Sequence, residues 1–168
     1  KTDTEAIREM DRFVCSHGNS HFTQTSAWAQ VKTFWDLRGI SVWQGDQIIA
    51  TMLVLIRHLP LGFSLLYAPR GPVCDRNSHE IWIELMEALK RLARREHALL
   101  IHMDPDEADS NESFRSMMLQ LGFIEKADDG FGNIQPQYVF RLPLKGRTQE
   151  DVFTAFCAKT RYNIGLSL

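Results

Sequence analysis

The spacing of apolar residues changes repeatedly along the chain between the period of a helix and that of a strand. Helical spacing predicts helices over residues 4–15, 26–36, 80–96, 109–121 and 148–156. Extended apolar runs between glycine and proline breaks predict strands over residues 39–43, 48–56, 63–68, 98–101, 123–124 and 137–144. This order of elements predicts an α+β fold with a mixed, mainly antiparallel sheet flanked by helices.

Capping residues support the predicted helix starts. Thr25 stands where it can cap the second helix, and Asn77 with Glu80 has the spacing of a capping box for the third. Thr148 and Asp151 can cap the helix near the end of the chain. The apolar run 98–101 directly follows a helix, so we expect a strand inside the sheet.

Composition restricts the classes of protein that fit the sequence. The 168 residues fit one domain, and the formal charge of −2 leaves no global positive field for nucleic acid. An odd number of separated cysteines (Cys15, Cys74 and Cys157) argues against a disulfide framework or a cysteine zinc site. The longest strongly apolar run, residues 48–56, is about half of what a bilayer span needs. We therefore expect a cytoplasmic protein without a metal.

Five segments, in this order, resemble signatures of one family. They are His21–Lys32 (HFTQTSAWAQVK), Leu66–Val73 (LYAPRGPV), Ile101–Pro105 (IHMDP), Asn133–Pro136 (NIQP) and Lys159–Ile164 (KTRYNI). The family is the FemABX-type peptidoglycan aminoacyltransferases, whose domains have the N-acyltransferase fold of the GNAT superfamily. The segment 114–123, which ends in Leu-Gly-Phe, also resembles the late helix of GNAT domains.

The resemblance implies transfer of an amino acid from aminoacyl-tRNA to a stem-peptide amine of a UDP-linked or lipid-linked muramyl-pentapeptide precursor. Family members carry two GNAT-like domains, so residues 1–168 are expected to form the first one, which binds the precursor. Residues 159–168 would begin the connection to a second domain, which contacts the aminoacyl-tRNA. On this view the chain is an inactive fragment of a cytoplasmic enzyme that uses no cofactor, binds no DNA and makes at most peripheral membrane contact.

The resemblance also assigns precursor-binding residues. Lys32 matches the family's phosphate-binding lysine; the alternative is a solvated lysine at a helix end. Trp35 can pack beside the nucleotide or sugar, or belong to the core. Arg161 matches a second precursor-binding stretch, although Gly165 stands where many relatives keep a basic residue. Arg70 lies between two prolines and either touches the ligand or holds its turn.

The expected chemistry is attack of an amine on an activated ester. A lysine amine with an ordinary pKa of about 10.4 costs about 4–5 kcal/mol to deprotonate at pH 7. Asp104, at the end of a predicted strand, is the catalytic candidate for accepting that proton; the alternative is a turn residue before Pro105. Substrate-assisted proton transfer with an electrostatic oxyanion site is the mechanism we favour.

Other functions have weaker support in the sequence. An acyl-CoA-dependent N-acyltransferase is the first alternative, but no Gln/Arg-x-x-Gly-x-Gly/Ala loop precedes a helix to cradle the CoA pyrophosphate. A non-catalytic fragment that binds muramyl peptides is the second. The basic residues of the third helix can touch tRNA phosphates or simply be solvated: Lys90, Arg91, Arg94 and Arg95.

Overall fold

The computed structural model describes residues 3–108, 110–126 and 142–167. The chain forms two compact units, Lys1–Asp129 and Gly130–Leu168. The first contains the helices α1 (Asp3–Ser16), α2 (Ser26–Val31), α3 (His79–Arg95) and α4 (Glu112–Gln120). Its strands are β1 (Asp36–Gln44), β2 (Gln47–His58), β3 (Ser64–Pro69), β4 (Val73–Cys74) and β5 (Ala98–Asp104). The second unit contains α5 (Gln149–Ala155) and α6 (Ala158–Ser167).

The described strands form one sheet in the order β1-β2-β3-β5, with β4 paired to β2. Neighbouring strands are antiparallel except β3 and β5, which run parallel and end side by side at Pro69 and Asp104. The predicted hairpin is confirmed as β1 and β2, whose pairing runs from Asp36 opposite Ile56 to Gln44 opposite Gln47. The sheet is therefore mixed and mainly antiparallel, as the sequence predicts.

Alternate residues of β2 point to two separate cores. Met52, Val54 and Ile56 pack with α3, together with partly buried residues of α4. Leu53 and Leu55 face the opposite side, where Met10 of α1 and residues of α2 cover them. Because successive side chains of a strand point to opposite faces, this central strand is buried on both sides. The sheet is thus sandwiched between two helical layers.

The second helix is shorter than its apolar spacing predicts. It ends at Val31, with Lys32 as the C-cap, and the chain already enters β1 at Asp36. Trp35 therefore lies in the connection to the strand and not on the helix. Pairing of β1 with β2 outweighs the local helical pattern here.

Two predicted caps also differ. Thr25 occupies the N-cap position of α2 without a side-chain bond to it, and the carboxylate of Asp11 in α1 instead accepts from the Ser26 backbone N at 2.8 Å. The N-cap of α3 is Ser78, without a side-chain cap bond, so the Asn77 capping box is wrong. The capping box of α5 is confirmed in full, with Thr148 and Asp151 each bonding the other's backbone.

The remaining differences concern strands. Residues 123–124 do not form the predicted strand, nor do residues 142–144. Residues 137–141 and the motif 133–136 lie outside the described residues. Strand β5 forms, but Leu99 and Leu100 are exposed, so the burial expected on both faces is not found there. Within the described strands β5 pairs with β3 alone, which is why its apolar run is less covered than its sequence suggests.

Candidate functional site

Gln24 joins the first motif to the sheet. Strand β2 pairs with β3 at residues 55–58 and with β4 at residues 50–51, and the Gln24 amide fills the gap between them. Its Oε1 accepts from the Leu53 backbone N at 2.8 Å, and its Nε2 donates to the carbonyls of Leu53 at 3.3 Å and Pro69 at 2.7 Å. The side chain is fully buried. It therefore acts as a short substitute for a neighbouring strand.

Asp104 holds the turn that follows β3. One of its carboxylate oxygens accepts from the Tyr67 hydroxyl at 2.9 Å, and the other accepts from the Arg70 backbone N at 2.8 Å. Arg70 has φ +52°, a left-handed conformation that is costly for a residue other than glycine. Gly71 follows, where a Cβ would lie 2.6 Å from Gln24 Nε2. The motifs at residues 21–32, 66–73 and 101–105 therefore meet at one place.

A row of aromatic rings lies on the α1–α2 side of the sheet. The Tyr67 ring is 6.3 Å from the Trp35 ring and 5.4 Å from the His102 ring, centroid to centroid. Trp28 packs against the same core, and Lys32 Nζ lies 4.7 Å from the centroid of its ring. The Trp28 indole N is buried and has no hydrogen-bond partner among the described residues. A cation beside flat aromatic surfaces can bind a phosphate joined to a sugar.

Four of the five predicted site residues belong to the unit Lys1–Asp129. Lys32, Trp35, Arg70 and Asp104 all have contacts on or beside this aromatic side of the sheet. Arg70 also reaches the carboxylate of Asp106, with Nη1 3.9 Å from Oδ1. The roles of these four residues in binding or catalysis stay predictions.

Arg161 belongs to the second unit. Its Nη1 donates to the carbonyls of Thr154 at 3.0 Å and Phe156 at 2.7 Å, which ties α6 to the end of α5. This contact gives the arginine a structural task in addition to the ligand contact that the resemblance implies. Its assignment to precursor binding stays a prediction.

Gln24, Tyr67 and His102 were missed as site residues by the sequence reasoning. All three lie inside the quoted motifs, so the resemblance contained the signal. The contacts that give them a role are long-range, joining residues 24 to 69 and 67 to 104. No local pattern predicts such pairs.

Two cysteines have shifted acidity. Burial raises the pKa of the Cys74 thiol to about 12. The Thr160 hydroxyl, 3.2 Å from the Cys157 sulfur, lowers the pKa of that exposed thiol. The described part of the chain contains no cluster of His, Cys, Asp and Glu able to hold a metal ion. Nor does it contain a helix long and apolar enough to cross a bilayer.

Comparison with known proteins decides the family. The model of the FemAB family matches residues 6–166, almost the whole chain. The chain belongs to the FemAB family. The Lipid II:glycine glycyltransferase of Staphylococcus epidermidis, a curated relative, is 32% identical to this chain over 168 residues. The alignment covers 96% of this chain but 40% of that protein, so the FemAB chain described here spans less than half of the relative's length.

Solved structures confirm the predicted fold. The crystal structure of FemX matches with a TM-score of 0.71 and 25% identity, over 96% of this chain and 42% of that one. An aminoglycoside 6'-N-acetyltransferase from Acinetobacter haemolyticus matches with a TM-score of 0.52 and 14% identity, over 84% of this chain and 96% of the enzyme. The second likeness shows the acetyltransferase fold alone. The FemAB chain therefore has the GNAT-like architecture that its element order predicts.

Proposed function

We propose that this FemAB chain is the precursor-binding part of an aminoacyltransferase that adds an amino acid to the stem peptide of a lipid-linked or UDP-linked peptidoglycan precursor. The amino acid would come from aminoacyl-tRNA, bound mainly by a part of the protein outside these residues. The observation that carries the proposal is the convergence of three family motifs on one aromatic, cation-bearing side of the sheet. The name of the staphylococcal relatives, Lipid II:glycine glycyltransferase, supports the substrate class.

Lys32 is the residue we assign to the diphosphate. As the C-cap of a short helix, it carries its ammonium group beside the Trp28 ring, 4.7 Å from the centroid. The ring restricts the lysine side chain, so less conformational freedom is lost when a phosphate binds. Trp35, which is partly exposed, provides flat apolar surface for a sugar ring, and the buried Tyr67 ring packs behind it at 6.3 Å.

Asp104 fits a positioning role better than that of a free general base. Its two oxygens accept from the Tyr67 hydroxyl and from the Arg70 backbone N, so each already holds a neighbouring group in place. The carboxylate instead fixes the strained turn and the Tyr67 ring, while proton transfer from the attacking amine is assisted by the substrate.

Calorimetry with UDP-MurNAc-pentapeptide tests the binding role. We expect the chain to bind this precursor and Lys32→Met to bind it about 10- to 100-fold more weakly, because one charge-assisted contact is lost. Lys90→Met, on the opposite side of the sheet, is the matched control and should bind normally. Equal binding by the two variants would remove Lys32 from the site.

The same titration distinguishes the rival function. An acyl-CoA-dependent enzyme of this fold would bind acetyl-CoA, for which the chain lacks the glycine-rich phosphate cradle. Binding of acetyl-CoA without binding of the precursor would overturn the proposal. For the catalytic assignment, Asp104→Asn in the full-length enzyme should weaken precursor binding and activity together. A loss confined to kcat, relieved as the pH rises, would instead indicate a general base.

A further inference from the structure

We propose that one end of the sheet docks on a membrane surface that carries anionic lipid headgroups. This end, here called the docking end, consists of residues 32–36, the β2–β3 turn 57–64 and the end of α3 at residues 94–97. The inference rests on the proposed function, since it concerns how the chain reaches a precursor that is attached to a lipid.

The docking end presents large apolar side chains to solvent. The turn is closed by the Leu59 backbone N, which donates to the Phe63 carbonyl at 2.8 Å. Leu61 stands at its apex with φ +65° and is 92% exposed, and Phe63 is also exposed. A leucine in this conformation is unusual, because turn positions with positive φ normally carry glycine or asparagine. An apolar apex of this kind suits insertion into the boundary between headgroups and acyl chains.

Phe34 adds a second apolar point at the same end. It is 84% exposed and lies two residues before β1. Strand β1 begins with Asp36 opposite Ile56, and the Asp36 carboxylate lies 3.0 Å from His58 Nε2. Because β2 ends at His58 and the turn follows directly, Phe34 and Leu61 project from the same edge of the molecule. Two separate segments therefore offer apolar contacts to one surface.

Basic side chains surround these apolar points. The Arg57 guanidinium lies 5.8 Å from the centroid of the Trp35 ring. The segment that follows α3 reaches the same turn, since the Ser64 backbone N donates to the His97 carbonyl at 3.2 Å. Two acidic residues, Asp36 and Glu96, lie at this end. Five basic residues lie at or next to it: Lys32, Arg38, Arg57, Arg94 and Arg95. Arg38 and Arg95 line one cleft between β1 and α3. The chain carries a formal charge of −2 overall, so this local excess complements anionic headgroups specifically.

The position of Lys32 connects docking to the proposed substrate. Lys32 lies two residues before Phe34, at the edge that would rest on the membrane. In a lipid-linked precursor the diphosphate joins the sugar to the lipid, so it lies at the level of the headgroups. Docking through Phe34 and Leu61 would bring the lysine to that level without any movement of the sheet.

Vesicle sedimentation with the whole 168-residue chain tests the proposal. We expect binding to vesicles of equal parts phosphatidylglycerol and phosphatidylcholine, and weak binding to pure phosphatidylcholine. Leu61→Ser and Phe34→Ser should each reduce binding to the anionic vesicles about tenfold, and Arg94→Gln with Arg95→Gln should also reduce it. Ile83→Ser, on the first turns of α3 at the other end of the sheet, is the matched apolar control and should bind normally.

Several results would overturn the proposal. One is no binding to anionic vesicles; another is equal loss in Leu61→Ser and Ile83→Ser. A Leu61-dependent dimer in the absence of lipid would assign the apolar surface to a second copy of the chain. Titration of Leu61→Ser with soluble UDP-MurNAc-pentapeptide separates the two proposals. If Leu61→Ser binds the precursor normally but no longer binds the vesicles, the docking proposal is supported. If the unaltered chain binds the vesicles but not the precursor, the proposed function alone is refuted.

Discussion

Replacement of Gln24 by leucine should destabilise the protein strongly, although the two side chains have similar size. The Gln24 amide is fully buried and makes three hydrogen bonds, two with Leu53 and one with Pro69. In the variant, the Pro69 carbonyl still accepts a hydrogen bond from the Thr23 hydroxyl at 3.1 Å. The buried N–H and carbonyl of Leu53 lose their hydrogen bonds with Gln24. At about 1–3 kcal/mol for each unsatisfied group, offset by the gain of an apolar side chain, we expect a loss of roughly 2–4 kcal/mol.

Urea denaturation followed by circular dichroism measures this loss. In a thermal melt followed by the same signal, the melting temperature should fall by about 5–15 °C, at a few degrees per kcal/mol for a unit of this size. Gln30→Leu is the control: this glutamine is exposed on α2, and its replacement should change stability by at most about 0.5 kcal/mol. Equal effects in Gln24→Leu and Gln30→Leu would refute the reasoning that Gln24 completes the sheet.

Four further predictions follow from neighbouring contacts. Gly71→Ala should cost about 1–3 kcal/mol in urea denaturation, because its Cβ would lie 2.6 Å from Gln24, whereas Gly18→Ala meets nothing within 4 Å and should be neutral. Tyr67→Phe should cost about 1–2 kcal/mol by removing the bond to Asp104; a neutral result would contradict the role of that bond. In iodoacetamide labelling followed by mass spectrometry, Cys157 should react readily and Cys74 should stay unmodified in the folded chain, and Thr160→Val should slow Cys157, since the Thr160 hydroxyl lowers the pKa of that thiol. Hydrogen bonds with Thr148 lower the pKa of Asp151, so the ionised Asp151 carboxylate stabilises α5 fully above the ordinary carboxyl pKa. This stabilisation is lost as the pH falls through the lowered value, and Thr148→Ala should flatten the acid-dependent loss of helical signal in circular dichroism.

Much of the architecture follows from local patterns. The hairpin, the third strand, the αβ unit and the helix that Thr148 begins are all confirmed within a few residues, because periodicity and capping are local properties. The predicted length of α2 is wrong: the helix ends at Val31, because the chain must reach Asp36 in position to pair with Ile56 of β2. Asp11, 15 residues before Ser26, caps that helix, and no local rule predicts such a distant cap.

The candidate site was predicted less completely. Motif resemblance pointed to Lys32, Trp35, Arg70 and Asp104, and the fold places all four in one unit. The resemblance does not show why these motifs belong together. That reason is the contact of Gln24 with Pro69 and of Asp104 with Tyr67 and Arg70, which only the three-dimensional arrangement reveals.

A structure of the chain bound to UDP-MurNAc-pentapeptide would test the central claim most directly. The account predicts the diphosphate within hydrogen-bond distance of Lys32 Nζ and the muramyl sugar against the partly exposed Trp35 ring. A precursor bound on the opposite side of the sheet, against α3 and α4, would contradict it.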